Sequence, residues 1–182
     1  MSQTLHVIPA ATVTHTVAVI YGDIISDITV HHARTSDARI GLIFGTTLMN
    51  LYSASAAQGL LEAFATARAA MARVPREINA QPAPPYEPFA RTTLAIEWTR
   101  RPTYCVVPQS GPNAAGTAIT HWVDVYCGPI TFQLRDQLGL KTTLALLSRT
   151  HTTAVAVFLD GPAHATDPTA TDYPGPDYPG PS

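Results

Sequence analysis

Two stretches of the chain, IFGTTLMNLYS (43–53) and YCGPITFQLRD (126–136), share one pattern of apolar and polar positions. In each, apolar residues alternate with polar ones up to Ser53 or Asp136, as in a β-strand with one buried face. Beyond these two residues, apolar positions recur at the three- and four-residue spacing of a helix. The helical positions are Ala57, Leu60, Leu61, Phe64, Met71 and Val74 in the first copy and Leu140, Leu144 and Leu147 in the second. Because Ser and Asp are good helix N-caps, each stretch predicts a strand followed by a capped helix.

The face that carries the apolar side chains changes at a glycine in each stretch. In the first, apolar Ile40, Leu42 and Phe44 lie at even positions before Gly45, and the apolar set lies at odd positions after it. Gly128 marks the corresponding change in the second stretch. Because the side chains of a strand alternate between its two faces, such a change indicates a turn or a bulge. We therefore expect a tight turn between two strands at each glycine.

The likeness between the two stretches extends upstream, which predicts an internal duplication. TVAVIY (16–21) resembles TLAIEW (93–98), with Tyr21 aligned to Trp98, and another strand-like run follows each of them. Each half thus contains four predicted strands and one predicted helix. The predicted fold class is α+β, with two pseudo-symmetric ββββα halves whose sheets are antiparallel and whose helices pack together.

Breaks in composition divide the chain into four segments. They are a first half with an N-terminal arm (1–75), a Pro-rich linker (76–90), a second half (91–160) and an acidic, Pro- and Gly-rich tail (161–182). The tail repeats the motif DYPGP and is predicted to be disordered, because Pro and Gly disfavour both helix and strand. The run TTAVAVFLDG (152–161) either continues the second helix or forms a last strand, and its alternation favours the strand.

Composition is that of a globular chain with little charge. Charged residues make up 13% of the 182 residues, and every basic residue except Lys141 is arginine. This bias, with the abundance of Ala and Thr, suggests a GC-rich genome such as an actinobacterial or phage one. Three aspartates lie in the tail, so the rest of the chain is close to neutral, unlike a strongly basic duplex DNA binder. The N-terminus lacks the pattern of a secretory signal and no apolar run is long enough to span a membrane, so we expect a cytoplasmic protein.

No motif for catalysis or for metal binding is visible in the sequence. His31 and His32 are adjacent, so in a strand they face opposite sides, and the other histidines lack metal-ligand spacing. Cys105 and Cys127 lie in strand-like segments without a CxxC spacing. They are expected to be buried reduced thiols, and the alternative is a disulfide, which would require an oxidising compartment. We expect a protein that is not an enzyme and that holds no metal and no cofactor.

A cluster of aromatic and arginine residues provides the candidate binding site. Sequence-independent binding of single-stranded nucleic acid needs aromatic faces for the bases and cations for the phosphates. The candidate residues are Trp98, Arg100, Arg101 and Tyr104 in WTRRPTY, with Tyr21, Arg34 and Arg39 in the first half. Trp122 and Tyr126 alternate with Val123 and Val125, which favours an outward orientation. The alternative interpretation is that the aromatic residues pack within the sheets and that the arginines form a solvated turn.

Two ββββα units in tandem, joined by a linker, resemble the Whirly-type single-stranded DNA-binding fold over most of residues 14–159. The resemblance implies that the strands form the nucleic-acid surface and that the helices hold the halves and a homo-oligomer together. The KGKAAL-type motif of plant Whirly proteins is absent from this sequence. The acidic tail is similar in charge and position to the tails of bacterial single-stranded DNA-binding proteins, which implies a protein partner, although a solubilising tail has the same composition.

These patterns lead to three hypotheses about function. The first is a nucleic-acid-binding protein, for single-stranded DNA, that uses stacking and Arg–phosphate contacts on a sheet face. The second is a structural or assembly protein, such as a phage-encoded one, whose exposed sheets mediate oligomerisation. The third is a small-ligand pocket between the two halves.

Overall fold

The computed structural model describes residues 13–79 and 93–175, which form eight strands and two α-helices. The strands are β1 (Thr16–Ile20), β2 (Ser26–His31), β3 (Arg39–Phe44), β4 (Thr47–Leu51), β5 (Leu94–Trp98), β6 (Tyr104–Pro112), β7 (Ile119–Cys127) and β8 (Ile130–Leu134). The helices are α1 (Ala54–Ala67) and α2 (Gln137–Val157). A short 3₁₀ segment follows each helix closely, at Arg68–Arg73 and at Gly161–His164.

The strands form two four-stranded sheets in which the halves of the chain exchange their first strands. Sheet A has the order β1-β8-β7-β6 and sheet B the order β2-β3-β4-β5. The α+β class and the order of strands and helices are confirmed. The pairing is antiparallel except at the exchanged strands, where β1 pairs parallel with β8 and β5 pairs parallel with β4. Because of this exchange, each sheet contains strands from both halves of the chain.

The register of the exchanged strands corrects the alignment of the two halves by one residue. Ile20 pairs with Leu134, and Trp98 pairs with Leu51. Since Leu51 and Leu134 are equivalent in the duplication, Ile20 is the counterpart of Trp98, and the alignment of Tyr21 with Trp98 was wrong. A shift of one residue reverses the face on which a side chain lies. Trp98 and its counterpart Ile20 therefore lie on inner faces, whereas Tyr21 lies on the outer side.

The predicted turns and caps are confirmed. Gly45 and Gly128 have φ angles of +59° and +53°, and each opens a two-residue turn between antiparallel strands, as in type II′ hairpins. The Ser53 side chain accepts a hydrogen bond from the Ala56 N–H, and the Asp136 side chain accepts one from the Gly139 N–H. Each strand-to-helix junction is therefore stabilised by satisfying an otherwise free N–H of the first helical turn.

The helices pack against each other and against the inner faces of the two sheets. Helix α1 of the first half contacts β6 and β7 of the second half, and helix α2 of the second half contacts β2 of the first half. Phe132 in β8 contacts Phe44 in β3 and Phe64 in α1, with ring centroids 6.2 and 5.2 Å apart. Exposed apolar side chains mark the opposite, outer faces: Val17, Val19 and Tyr126 on sheet A, and Ile43 and Leu48 on sheet B.

The segment 152–157 continues α2, so the strand that its alternation favoured is not formed. The Thr152 and Thr153 hydroxyls donate to the carbonyls four residues earlier, which satisfies them within the helix. Ala154 and Val157 are three residues apart and both are buried. The helical face decides the structure here, because packing of one face outweighs the β-propensity of valine and threonine.

The segment 161–175 lies along α1, so disorder is not observed for this part of the tail. The Gln58 amide donates to the Thr166 carbonyl at 3.0 Å, and Pro168 is buried. The second DYPGP repeat (177–181), most of the linker (80–90) and the N-terminal arm (1–12) lie outside the described residues. Neither helix in the described ranges combines the length and hydropathy needed to cross a membrane.

Candidate nucleic-acid interface

Trp98 ends β5 on the inner face of sheet B, where it is only 5% exposed. Its indole Nε1 is buried without a hydrogen-bond partner among the described residues. A side chain in this environment contributes to the core and offers no face to a base. The predicted role of Trp98 in stacking would therefore require it to leave the core.

Arg101 and Tyr104 converge on a buried carboxylate in α1. The Arg101 guanidinium forms an ion pair with Glu62, whose side chain is 5% exposed. The Tyr104 hydroxyl donates to Glu62 Oε1 at 2.7 Å. The sequence suggested that both residues face nucleic acid, but their polar groups are engaged inside the protein. The signal that could have revealed this is Glu62 itself, which is the only charged residue in α1.

The same carboxylate anchors the segment that follows α2. The Tyr173 hydroxyl donates to Glu62 Oε2 at 2.9 Å and accepts from Arg101 Nη2 at 3.2 Å. Arg101 Nη1 also donates to the Gln58 amide oxygen at 2.9 Å. This network joins α1, the β5–β6 connection and the C-terminal segment, and its members satisfy one another.

The other four predicted residues lie at separate places on the surface. Arg100 is exposed beside Arg101. Arg34 is exposed with φ +64° in the β2–β3 connection, where its N–H donates to the Val157 carbonyl. Arg39 is half-buried and starts β3 on the outer face of sheet B, whereas Tyr21 is half-buried just after β1. The seven predicted residues therefore do not form one surface.

The outer face of sheet A instead brings together two aromatic side chains and an arginine. Val123, Val125 and Cys127 are buried on the inner face of β7. The alternation of the strand puts Trp122 and Tyr126 on the outer face, as the pattern predicted. Neither helix of the described chain packs against this face.

Arg135, which follows β8 directly, completes this cluster. Its guanidinium carbon lies 4.3 Å from the centre of the Trp122 ring, a cation–π arrangement. Its Nη2 donates to the Gln133 side-chain oxygen at 3.0 Å. Arg135 is not among the residues predicted from the sequence, because its proximity to Trp122 depends on the register of β7 with β8. We call Trp122, Tyr126 and Arg135 the aromatic cluster.

Asp124 holds the two aromatic residues in place. Its carboxylate accepts from the Trp122 indole Nε1 at 3.1 Å and from the Tyr126 hydroxyl at 3.4 Å. Asp124 is only 6% exposed. Both ring edges are thus bound to one carboxylate between them, which restricts the orientation of the ring faces.

The two cysteines lie on opposite faces of sheet A. Cys127 is buried on the inner face, and burial raises the pKa of its thiol to about 12. Cys105 is exposed, which differs from the expected burial, because it lies opposite Tyr126 on the outer face. Side chains on opposite faces of neighbouring strands point apart, so these two thiols cannot form a disulfide in this fold.

Comparison of the chain with models of known protein families, with curated proteins and with solved structures finds no match. Among the described residues, no group of three or more His, Cys, Asp or Glu side chains could hold a metal ion. The arguments about function therefore rest on the geometry of this chain.

Proposed function

We propose that the protein binds single-stranded nucleic acid on the outer face of sheet A. The observation that carries this proposal is the stack of Arg135 on Trp122 beside Tyr126, on a face that neither of the two described helices covers. Tyr126 supplies an aromatic surface for a base, and the Arg135 guanidinium stacked on Trp122 supplies a second planar surface and a cation for a phosphate. Binding by this cluster is independent of base sequence, because every base has a face that can stack.

The charge of the chain supports a mode of binding in which stacking dominates. The net charge is −2, so the protein as a whole does not attract a polyanion. Each base stacked on an aromatic side chain contributes about 1–3 kcal/mol. The affinity should depend weakly on salt, since few phosphates are neutralised. The resemblance to the Whirly-type arrangement belongs to this proposal, since it also assigns the nucleic-acid surface to the strands.

The test compares labelled oligo-dT with a duplex of equal length by fluorescence anisotropy. Tyr126→Ala should weaken binding of oligo-dT about tenfold, because one stacked base is lost. Ile43→Ala is the matched control, because Ile43 is the equivalent residue in the duplication and is exposed on the outer face of sheet B. Binding that is absent at micromolar protein, or that both variants reduce equally, contradicts the proposal.

Assembly through β1 is a second candidate function, supported by one specific observation. β1 is an edge strand of sheet A, and its Val17 and Val19 side chains are 51% and 53% exposed. Exposed apolar edge strands favour pairing with another chain. Light scattering of the wild type and of Val17→Lys/Val19→Lys tests it. A large wild-type assembly that dissociates when the two valines are replaced by lysine supports this function, and a wild-type monomer contradicts it.

A further inference from the structure

A pocket of about 440 Å³ lies at the end of the outer face of sheet A where β1 and β8 end and β7 begins. Tyr21, His121 and Arg135 line it together with Val19 and Thr120. Its volume is within the range of roughly 300–1,000 Å³ that is usual for small-molecule sites. The pocket adjoins the aromatic cluster, since Arg135 belongs to both.

Two fixed segments form the far wall of this pocket. One is the chain between 75 and 79, which is held where α2 begins: Gln137 N–H donates to the Pro75 carbonyl at 2.9 Å, and Ile78 N–H donates to the Asp136 carboxylate at 3.1 Å. The other is the tip of the β6–β7 hairpin, where Asn113 lines the pocket and its side-chain oxygen accepts from the Thr117 N–H at 2.8 Å. The outer face of the sheet therefore ends at a wall.

The aromatic cluster and the pocket follow one another along β7. Tyr126 and Trp122 are four residues apart, or about 13 Å at the rise of a strand. Thr120 comes next on the same face, inside the pocket. A single strand that stacks on Tyr126 and then on the Arg135–Trp122 pair would be directed at the pocket, with the wall across its path.

The polar groups that line the pocket suit an anion. Within the described residues, the Tyr21 hydroxyl has no hydrogen-bond partner, and Arg135 has donors beyond the one bound to Gln133. No Asp or Glu is among the lining residues. The nearby Asp136 carboxylate is occupied by the N–H groups of Gly22, Ile78 and Gly139.

From this arrangement we infer that the pocket binds a phosphorylated end of the single strand. The inference rests on the proposed function, because the rest of the strand lies on the aromatic cluster. A terminal phosphate carries about −1.5 to −2 charges at neutral pH, more than a phosphate within the strand. Arg135 provides the charge, and Arg135 and Tyr21 provide the donors, for such a group.

The test uses oligo-dT with a 5′-phosphate, with a 3′-phosphate or with neither, and a circular single-stranded DNA that has no ends. One of the phosphorylated oligomers should bind about tenfold tighter than the unphosphorylated one. Tyr21→Phe, which removes one donor to a charged group, should remove most of that preference and leave binding of the circle unchanged. Thermal unfolding of the variant checks that it is folded. Thymidine monophosphate should compete only at a concentration at least 100-fold higher, because it cannot reach Trp122.

Three outcomes overturn the inference and are distinct from failure of the proposed function. If the circle binds and the terminal phosphate makes no difference, the pocket does not recognise ends. If Tyr21→Phe keeps the preference, another site is responsible. If thymidine monophosphate binds as tightly as the phosphorylated oligomer, the pocket is a site for free nucleotides. If neither circle nor oligomer binds, the proposed function itself has failed.

Discussion

The Arg101 guanidinium is paired with the carboxylate of Glu62, which lies 39 residues earlier in the chain and is buried in α1. This pair fixes the connection between β5, which belongs to sheet B, and β6, which belongs to sheet A. Tyr173 binds to both partners, so the pair also holds the C-terminal segment. An arginine that resembles a ligand-binding residue in the sequence is thus a structural residue.

Arg101→Ala should destabilise the protein by about 3 kcal/mol, because it leaves the buried Glu62 carboxylate without its cation. Arg100→Ala, one residue away and exposed, should change the free energy of unfolding by less than about 0.5 kcal/mol. Urea denaturation of the two variants measures both effects. Equal stabilities of the two variants would show that the ion pair does not stabilise the fold.

The two helix caps offer a comparison of equivalent positions within one chain. Asp136→Ala should cost about 3 kcal/mol or more, since its carboxylate is fully buried and accepts from three separate backbone N–H groups. Ser53→Ala should cost only about 1 kcal/mol, as for an ordinary cap. Asp160 limits the loss at α1, because its carboxylate accepts from the Ala54 and Ser55 N–H groups.

Urea denaturation also measures this pair of variants. Asp136→Asn is the control that keeps the shape of the side chain and one acceptor oxygen, so its loss should be intermediate. The prediction is wrong if Ser53→Ala and Asp136→Ala cost the same, since the two long-range contacts of Asp136, to the Gly22 and Ile78 N–H groups, would then contribute nothing.

Local features of this fold could be predicted from the sequence, and long-range pairings could not. The positive φ at Gly45 and Gly128 favours glycine, and the free N–H groups at the start of each helix favour a capping side chain such as that of Ser53 or Asp136. Both requirements are local, so nearby residues suffice to identify these positions. The exchange of β1 and β5 between sheets depends on contacts between residues far apart in sequence. The alternation within one strand does not say which strand pairs with it.

The same distinction between local and long-range features applies to the candidate site. The outward orientation of Trp122 and Tyr126 follows from the apolar residues Val123 and Val125, which lie on the opposite face because side chains alternate with a period of two. The burial of Trp98 and the stacking of Arg135 on Trp122 both depend on neighbouring strands. The most distinctive sequence motif, WTRRPTY, was therefore a poor guide to an exposed surface.

Thiol labelling distinguishes the two faces of sheet A. Ellman's reagent should modify Cys105 in the native protein, because this residue is exposed. Cys127 should react only after unfolding, because the reactive species is the thiolate and burial raises the pKa of this thiol to about 12. One thiol in buffer and two in denaturant is the expected count. Cys105→Ser is the control and should remove the native reaction, and a second native thiol would contradict the assigned faces.

The exchange of first strands predicts that the halves of the chain cannot fold as separate monomers. A fragment 1–84 lacks β8, the partner of β1, and β5, the partner of β4, and the complementary fragment 85–182 has the corresponding losses. Each fragment alone should be unfolded or should dimerise to replace the missing strands. Mixing them should restore the circular dichroism of the intact chain in a complex with one copy of each fragment, as measured by light scattering. A folded monomer formed by either fragment alone would contradict the strand exchange.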